Sequence, residues 1–589
     1  MRVFLGGVAA NADEAERAMR GGASSVSFNP QGLVRIWERR RGGVFGVLYG
    51  HVEDARDGVV ELEDGRVILW SGYTGEPDMK AFFARNLSSS SGPVALRAVA
   101  GGVAAFTVID FALGVVHGWS SQPGVEPIYY SDTRLSNRPL GVCNGVATFN
   151  ESYLDWYMST GYGLDDVTPF QGVRALNSAE MVTLGADGAR TAGHPNPAMP
   201  YRDTSLEEMA KDGVAALEAA VRPLRSFDKV ELFLSNGKDS RLLAAALKHS
   251  GIPAVATTMS LSDRSAIRVV REVARAAGIP VAEKNVEFGV ESVRSNLVSS
   301  LRRAEGMLNC EANIDMLPWP TSFDRGQAII FGHSHLQKGG LLRGPVESKA
   351  HALNYLGRRF DNPLATDALR SKVRNRISAW LEHRADVDPG HSVYWAAHDF
   401  RVTHYLRAHY HRFSAKGVPV YPLIDEHFAR FCGASNMMLK VDESFMFSML
   451  LLMCPEMRDL PMSRNRWKFE LDRPDGRFPG YDARAVLAAD EVDSIPPERS
   501  IWQSSGLVAT ARDAVLSSRL RDALLSRVSA GMRDAVLNWS GRGFFPGAPA
   551  RRRARIQLLR MYAVTVLCED VIGDARPGPE SALAAGRAG

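Results

Sequence analysis

The feature that most constrains the fold is an alternation of apolar strands and amphipathic helices in the middle of the chain. Two short apolar runs, Val230–Leu234 and Ala254–Thr258, are each followed by a helical pattern, over Arg241–His249 and Asp263–Ala277, and a third strand starts at Val281. When single helices separate consecutive strands, the chain returns to the same end of the sheet and the strands pair in parallel. The pattern therefore predicts an α/β domain in which helices wind around a parallel sheet.

The residues before this region have a different pattern. Short apolar runs alternate with turn signals, and Asp64-Gly65 between two of the runs predicts a hairpin turn. The runs are Gly43–Tyr49, Val59–Leu62, Val67–Trp70, Val103–Ile109 and Ala179–Leu184. These features predict a β-rich domain over residues 1–195, a proline-rich linker, and a second domain over residues 204–575 that becomes mostly helical. The small residues of 576–589 predict a disordered tail.

Composition argues against several classes of function. The net charge of the 589 residues is only +4, which is unlike a dedicated nucleic-acid-binding protein. No apolar run reaches the roughly 18 residues that a membrane helix needs. The five cysteines are widely spaced and form no CxxC pair, so they fit neither a disulfide framework nor a zinc site. Reduced thiols and a cytoplasmic location are expected, with neither nucleic acid nor a membrane as partner.

The loop after the first of these strands carries the strongest functional signal. It follows Leu234, precedes a helix, and consists of Ser235, Asn236, Gly237, Lys238, Asp239 and Ser240. A helix N-terminus offers unpaired N–H groups and a partial positive charge to phosphate, and glycine lets the backbone approach an anion closely. Lys238 is expected to neutralise phosphate charge, and Asp239 to bind Mg²⁺. A Walker A loop is excluded, because Leu232 stands where that motif needs glycine. The remaining alternative is a turn that only caps the helix.

The same loop resembles the Ser-Gly-Gly-x-Asp-Ser pyrophosphate loop of the asparagine synthetase family, with Asn236 as the departure. Other segments are similar to motifs of that family and occur in the same order: Glu126–Tyr130, Tyr153–Leu184, Val420–Asp425 and Leu460–Phe469. The resemblance implies an N-terminal Ntn-hydrolase-like layered β-sandwich of the glutaminase type. It implies a C-terminal PP-loop (adenine nucleotide α-hydrolase-like) synthetase domain, with a parallel sheet and a helical extension. It also implies that ATP is split into AMP and pyrophosphate.

Departures from the family narrow the implied function. Glutamine-dependent members carry a catalytic cysteine at position 2, where this chain has Arg2, so the N-terminal domain is expected to be an inactive glutaminase. A substrate amine must then replace ammonia. Arg241 after the loop and the segment Gly339–Gly344 are similar to lasso peptide cyclases. The favoured function is macrolactam formation, in which an Asp or Glu side chain of a precursor core peptide is adenylated and joined to the peptide's N-terminal amine. A leader peptidase and a leader-peptide-recognition protein are the implied partners.

The resemblance also implies roles for residues outside the loop. His333, which follows Gly332 in the nucleotide site, takes the place of a family glutamate or tyrosine, so its imidazole is a candidate base for the attacking amine. A hydrogen bond within its own loop, or a contact to AMP, is the alternative. Lys468 matches a late lysine that, together with Lys238, stabilises charge on pyrophosphate. Thr258 and Met259 end the second strand and are expected near adenine.

Two other readings of the chain stay open. One is a ligase that acts on a small molecule, such as a β-lactam synthetase. The other is a degenerate homologue that binds nucleotide or peptide without catalysis. Asn236 and the missing cysteine lend weight to the second, as does Leu336, which stands where the family has a second metal-binding Asp. Asp239 would then carry more of the Mg²⁺ site, or another acid such as Asp315 would substitute.

Overall fold

The computed structural model describes most of the chain, in segments. They are residues 2–25, 34–50, 58–87, 101–122, 124–143, 147–162, 164–178, 180–193, 204–260, 264–285, 289–309, 311, 315–318, 327–334, 336–384, 388–414, 417–462, 466–472, 478, 505–539 and 548–573. The predicted linker and tail lie outside these residues, as do His335 and Arg464.

Two antiparallel sheets of six strands each form the N-terminal part. The strands are β1 Val3–Val8, β2 Val34–Arg41, β3 Val44–Gly50, β4 Val59–Glu61, β5 Val67–Tyr73, β6 Val103–Asp110, β7 Val115–Ser120, β8 Tyr129–Tyr130, β9 Arg134–Ser136, β10 Arg174–Ala175, β11 Glu180–Gly185 and β12 Gly188–Gly193. One sheet has the order β10-β8-β9-β1-β3-β2 and the other β12-β11-β7-β6-β5-β4. The predicted hairpin is confirmed, because β4 and β5 pair across a turn in which Gly65 has a φ of +84°.

The two sheets pack face to face, and each is covered on its outer face by a helix. Phe4 of β1 and Ile109 of β6 belong to the core between the sheets. Val3 and Leu5 point the other way, into a core shared with helix α1, Ala12–Ser25. Helix α2, Met79–Asn86, covers the second sheet. Because both faces of the central strands are buried, their sequences are almost continuously apolar rather than alternating.

A five-stranded parallel sheet forms the centre of the second part. Its strands are β13 Val230–Phe233, β14 Val255–Ser260, β15 Val281–Asn285, β16 Ala328–Ile330 and β17 Val418–Val420. Their order is β15-β14-β13-β16-β17, and all neighbours are parallel. The predicted parallel sheet is therefore confirmed. The chain adds two strands on one side of β13 and then two on the other, so the winding reverses between β13 and β16. In open α/β sheets ligands bind at such a reversal, outside the carboxyl ends of the strands.

Helices form most of the remaining described chain, and some of them cover this sheet. They are α3 Pro139–Val142, α4 Tyr153–Thr160, α5 Leu206–Val221, α6 Lys238–His249, α7 Arg264–Ala277, α8 Val293–Arg303, α9 Lys349–Phe360, α10 Asp367–His383, α11 Pro389–Ala396, α12 Thr403–Ser414, α13 Glu426–Ala434, α14 Met437–Val441, α15 Ser444–Met453, α16 Lys468–Asp472, α17 Ser505–Ser517, α18 Arg521–Leu525, α19 Ala530–Leu537 and α20 Ala548–Val566. Ser205 caps α5 in a reciprocal capping box with Glu208. None of the helices in the described segments combines the length and apolar character needed to cross a membrane.

A buried polar network joins the sandwich to the helices. The Tyr129 hydroxyl lies 2.8 Å from Nε2 of His411, and Arg138 donates to the Ser414 hydroxyl at 2.8 Å. Nε of Arg138 also lies 3.5 Å from a carboxylate oxygen of Glu305, whose side chain is 8% exposed. Each of these contacts joins residues that are far apart in sequence, so the two parts of the chain are packed against each other through specific polar pairs.

Candidate functional site at the strand reversal

The site is built from the segments that follow β13 and β16. Leu234 continues β13, and its N–H donates to the carbonyl of Thr257 on β14 at 2.9 Å. After β16 the chain passes close to the start of α6. A Cβ added at Gly332 would lie 3.0 Å from the Ser240 nitrogen and 3.2 Å from Cβ of Asp239. The absence of a side chain at position 332 therefore lets the two segments touch.

The loop from Ser235 to Ser240 closes on itself. The Ser235 N–H donates to the Ser240 hydroxyl at 3.1 Å, and that hydroxyl donates back to the Ser235 carbonyl at 3.0 Å. The Gly237 N–H donates to the Ser235 hydroxyl at 3.1 Å. Helix α6 starts at Lys238, three residues earlier than the sequence predicts, so Gly237 is its N-cap and Lys238, Asp239 and Ser240 lie in its first turn. The helix N-terminus, with N–H groups that have no acceptor inside the helix, therefore faces the strand reversal.

Asn236 takes the place of a glycine in the resembling family, but it needs no special backbone conformation here. Among the described residues other than glycine, a positive φ occurs at Glu305 and Glu443, and Asn236 is not one of them. Any L-residue can adopt the conformation of Asn236, which removes the backbone objection to this substitution.

Lys238 and Lys468 meet at a nearly buried carboxylate, Glu443. Nζ of Lys238 donates to Glu443 at 2.5 Å and to the carbonyl of Arg466 at 2.6 Å. Nζ of Lys468 donates to the carbonyl of Val441 at 3.1 Å and lies 3.8 Å from Glu443, whose side chain is 4% exposed. The structure thus brings together two of the catalytic residues that the sequence predicts, although they are far apart in the chain.

Asp239 is held by two residues of the short helical turn Leu336–Lys338. Its Oδ1 accepts from Nε2 of Gln337 at 2.6 Å, and its Oδ2 accepts from Nζ of Lys338 at 2.7 Å. Both carboxylate oxygens therefore already face hydrogen-bond donors. Within the described segments, no group of three or more His, Cys, Asp or Glu side chains is arranged to hold a metal ion. The donor set does not fit a magnesium ion bound by Asp239.

Asp315, the alternative metal ligand, is fully buried and occupied elsewhere. It forms an ion pair with Arg412 and accepts a hydrogen bond from the Asn309 N–H at 3.0 Å. This carboxylate is matched to Arg412 and to the Asn309 N–H, so it does not present itself to a ligand.

The electrostatics of the site favour an anion. Burial lowers the pKa of Lys238 and of Lys468, and the nearby Glu443 carboxylate opposes this shift in both. Burial raises the pKa of Asp239, and Lys338 opposes it. Arg343 is close enough to Lys468 to lower its pKa further. Four cationic side chains thus surround two carboxylates at a helix N-terminus, which leaves an excess of positive charge for a phosphate group.

His333 follows Gly332 and lies in an aromatic pocket. Its ring centroid is 4.4 Å from that of His409 and 6.0 Å from that of Tyr405. Its Nδ1 is buried and has no hydrogen-bond partner in the described structure. Burial lowers the pKa of His333 to about 4, so the imidazole is neutral at pH 7. The sequence suggested a pKa near neutral; the apolar surroundings, which penalise the charged ring, account for the difference.

Two arginines that the sequence singled out have structural partners. Arg241 is 1% exposed and donates to the carbonyls of Leu460 and Pro461 at 3.0 and 2.6 Å, so it ties α6 to the segment before Lys468. The guanidinium of Arg2 lies over the ring of Trp70, 4.1 Å from its centroid. Position 2 is thus filled by a packed cation and presents no thiol.

Thr258 and Met259 lie on β14, where they pair in register with Glu283 and Lys284 of β15. The Thr258 side chain is largely buried, and the carbonyl of the preceding Thr257 accepts from the Leu234 N–H. This is the carboxyl end of the sheet, the edge where the sequence predicts the base of the nucleotide.

Three residues of the site were not found from the sequence: Gln337, Lys338 and Glu443. In the loop after β16, the resemblance to the family ends at Leu336, before Gln337 and Lys338. Glu443 precedes the apolar helix α15 and resembles an ordinary helix-capping acid. One signal was visible, since Gln337 and Lys338 lie in the segment that follows the apolar run Ala328–Ile330, and segments after parallel strands lie at the edge where ligands bind.

No protein-family model matches this chain, and no match was found among curated proteins. Function is therefore inferred from the geometry at the strand reversal and from the motifs that lie there.

Proposed function

We propose that the chain is an ATP-dependent amide ligase of the asparagine synthetase type, acting as a lasso peptide cyclase. In this proposal residues 1–195 are a glutaminase-type sandwich without its nucleophile, and residues 204–575 are a PP-loop synthetase domain. The substrate is a precursor core peptide, released by a leader peptidase with the help of a leader-peptide-recognition protein. The products are a macrolactam, AMP and pyrophosphate.

One observation carries the proposal. The loop that resembles a pyrophosphate-binding motif forms a helix N-terminus at the reversal of a parallel sheet, and the two lysines predicted to bind pyrophosphate meet beside it. A loop that merely caps a helix would not need cations from distant parts of the chain. The excess of cationic side chains over carboxylates supports a ligand with several negative charges.

The reaction follows from these positions in two steps. A carboxylate oxygen of the peptide attacks the α-phosphorus of ATP, the bond to the β-phosphate oxygen breaks, and pyrophosphate leaves beside Lys238 and Lys468. The N-terminal amine then attacks the acyl carbon, the bond to AMP breaks, and the amide forms. Holding amine and acyl-adenylate in one site makes the second step unimolecular, which is worth up to roughly 7–11 kcal/mol.

His333 has a limited part in this scheme. It is neutral at pH 7, as a base must be, but burial holds its pKa at about 4 and makes it a weak proton acceptor. We therefore propose that water accepts the proton of the attacking amine, and that His333 lines the adenylate site. If His333 were an effective base instead, His333→Ala would lose turnover at every pH above about 5.

The test supplies the full chain with ATP, Mg²⁺ and a leaderless core peptide encoded beside its gene. We expect AMP, pyrophosphate and a peptide lighter by one water, with none of these formed when the peptide's carboxylate is replaced by an amide. Lys468→Met should slow pyrophosphate release by about 10²–10³-fold, the effect typical of removing one preorganised cation or donor. Lys248→Met is the matched control, since Lys248 pairs with Glu456 at the surface.

Other products would point elsewhere. ADP would rule out adenylation, and AMP without any amide would exclude ligation of this peptide. Amide formation on a small amino acid, with the peptide left unchanged, would favour a β-lactam synthetase-like ligase. Nucleotide binding without pyrophosphate release would support a non-catalytic homologue.

A further inference from the structure

Asp239 is the acid that the sequence offers for a metal ion, yet its carboxylate is already matched to a fixed cation. The ammonium of Lys338 is 2.7 Å from Oδ2, and the amide of Gln337 is 2.6 Å from Oδ1. The two side chains of the ion pair are 19% and 22% exposed, so water competes little for either charge.

The backbone that carries Lys338 is held in place. The Ser334 hydroxyl donates to the carbonyl of Leu423 at 3.1 Å and accepts from the Leu336 N–H at 3.1 Å. These bonds anchor the turn Leu336–Lys338 to the segment after β17. Gly332 brings the same segment against the start of α6. The approach of Lys338 to Asp239 is therefore set by the fold around it and not by a freely moving surface side chain.

A magnesium ion bound to Asp239 would have to displace this arrangement. It needs oxygen ligands at about 2.0–2.1 Å in octahedral geometry, whereas both oxygens accept from donors. The ion would also lie within a few ångströms of the Lys338 ammonium. Lys238, the residue before Asp239, places a second positive charge nearby. The other acid of the cluster, Glu443, is paired with Lys238 and Lys468. Like charges at that separation in a half-buried site repel strongly.

We propose that the Lys338 ammonium replaces a protein-bound metal ion at Asp239, and that it positions the polyphosphate of the nucleotide. An ammonium group has three donors, so one can remain on Asp239 while the others meet phosphate oxygens. A divalent ion then enters only with the nucleotide. This inference rests on the proposed function for its ligand, but its statement about Asp239 concerns the protein alone.

The test measures binding of Mn²⁺ alone, without nucleotide, by the loss of the free-ion signal in electron paramagnetic resonance. We expect no binding that depends on Asp239 in the unaltered protein. Lys338→Ala leaves Oδ2 without its cation and should bind Mn²⁺ at least tenfold more tightly. The double variant Lys338→Ala with Asp239→Asn should lose that gain. Lys338→Arg, which keeps the charge, should behave like the unaltered protein.

Two results would overturn the inference. The first is Mn²⁺ binding by the unaltered protein that disappears in Asp239→Asn. The second is a Lys338→Ala variant that gains no Mn²⁺ affinity while its urea unfolding midpoint shows that it is folded. Lys338→Met gives a second folded variant of similar side-chain bulk, for which the same gain is expected.

A metal titration of turnover links the inference to the proposed reaction. With ATP fixed, the rate of the unaltered protein should saturate once the nucleotide is fully complexed with Mg²⁺. Lys338→Ala should need a further excess of free Mg²⁺. If the chain proves to have no ligase activity, this titration reports nothing, but the Mn²⁺ measurement still decides the role of Lys338. The failure of the proposed function and the failure of this inference are thus distinguishable.

Discussion

Replacing Glu443 by glutamine should weaken the fold and tighten pyrophosphate binding, two effects of opposite direction from one substitution. The Glu443 carboxylate is 4% exposed and accepts from Nζ of Lys238 and from the Lys468 N–H, at 2.5 and 3.1 Å. Glutamine has the same shape and the same tolerance of the left-handed backbone at this position, where φ is +68°. The substitution therefore removes the charge and leaves backbone strain unchanged.

The magnitude of each effect follows from burial and charge. Removing one partner of a buried ion pair costs about 3–5 kcal/mol, because the other charge stays buried without compensation. We expect the lower end, about 3 kcal/mol, since glutamine still accepts a hydrogen bond and the side chain of Lys468 is 32% exposed. In Glu443→Gln, Lys238 and Lys468 have no carboxylate partner at position 443, so they lose no ion pair there when they bind pyrophosphate. A charge-assisted bond is worth about 1.5–3 kcal/mol, which corresponds to roughly ten- to hundredfold tighter binding.

Urea denaturation measures the first effect, and calorimetric titration with pyrophosphate at pH 7 measures the second. Glu456→Gln is the matched control: it is the same chemical change in an acid that pairs with a lysine at 2.8 Å, but its side chain is 59% exposed. This control should change neither quantity, because exposed pairs are screened by water. Equal stability losses in the two variants, or weaker pyrophosphate binding by Glu443→Gln, would refute the reasoning.

Three further predictions concern close packing, helix capping and a buried acid. Gly332→Ala should destabilise the protein by about 1–3 kcal/mol in urea denaturation, because the new Cβ would lie 3.0 Å from the Ser240 nitrogen. Gly357→Ala is its control: position 357 lies within α9, nothing occupies the space where a Cβ would be, and alanine should stabilise the protein by about 0.5–1 kcal/mol. Ser205→Ala should cost about 1 kcal/mol through loss of the α5 cap, and Ser205→Asp should restore most of it. Burial raises the pKa of Glu305 to about 7 from 4.5. Below pH 4.5 the side chain is neutral in the folded and in the unfolded chain, so this group's contribution to stability is fully present. Between pH 4.5 and about 7 the unfolded chain ionises while the folded chain keeps its proton, and the free energy of unfolding falls by about 3 kcal/mol. Unfolding of Glu305→Gln should lack that fall, and an unchanged pH dependence would contradict the assignment.

Local sequence patterns predicted three of the five strands of the parallel sheet and the two helices between them. The runs starting near Val230, Val255 and Val281 are strands, and the helices between them are present, because each segment carries its own apolar period. The start of α6 was misplaced by three residues, since Lys238, Asp239 and Ser240 look like loop residues in isolation. In the structure Gly237 ends the loop as the N-cap, and these three residues lie in the first turn of α6.

The pairings in the site were beyond such reasoning. Lys238 and Glu443 are 205 positions apart, and Asp239 and Lys338 are 99 apart. No local period links residues at those separations. The charge pattern around Glu443 looks like an ordinary helix cap, and only the packing of α15 against α6 brings that carboxylate to the lysines.

The sequence by itself determined that strands and helices alternate after residue 204, that a loop resembling a pyrophosphate motif lies between one such strand and its helix, and that position 2 carries no thiol. It did so because secondary structure and loop chemistry depend on near neighbours. The tertiary structure decided which side chains meet the loop. It placed Gly332 against Ser240, gave Lys238 and Lys468 a common carboxylate, and set Lys338 on the acid that the sequence assigned to magnesium. Those outcomes depend on how strands from distant parts of the chain are ordered in one sheet, and that order is fixed by packing.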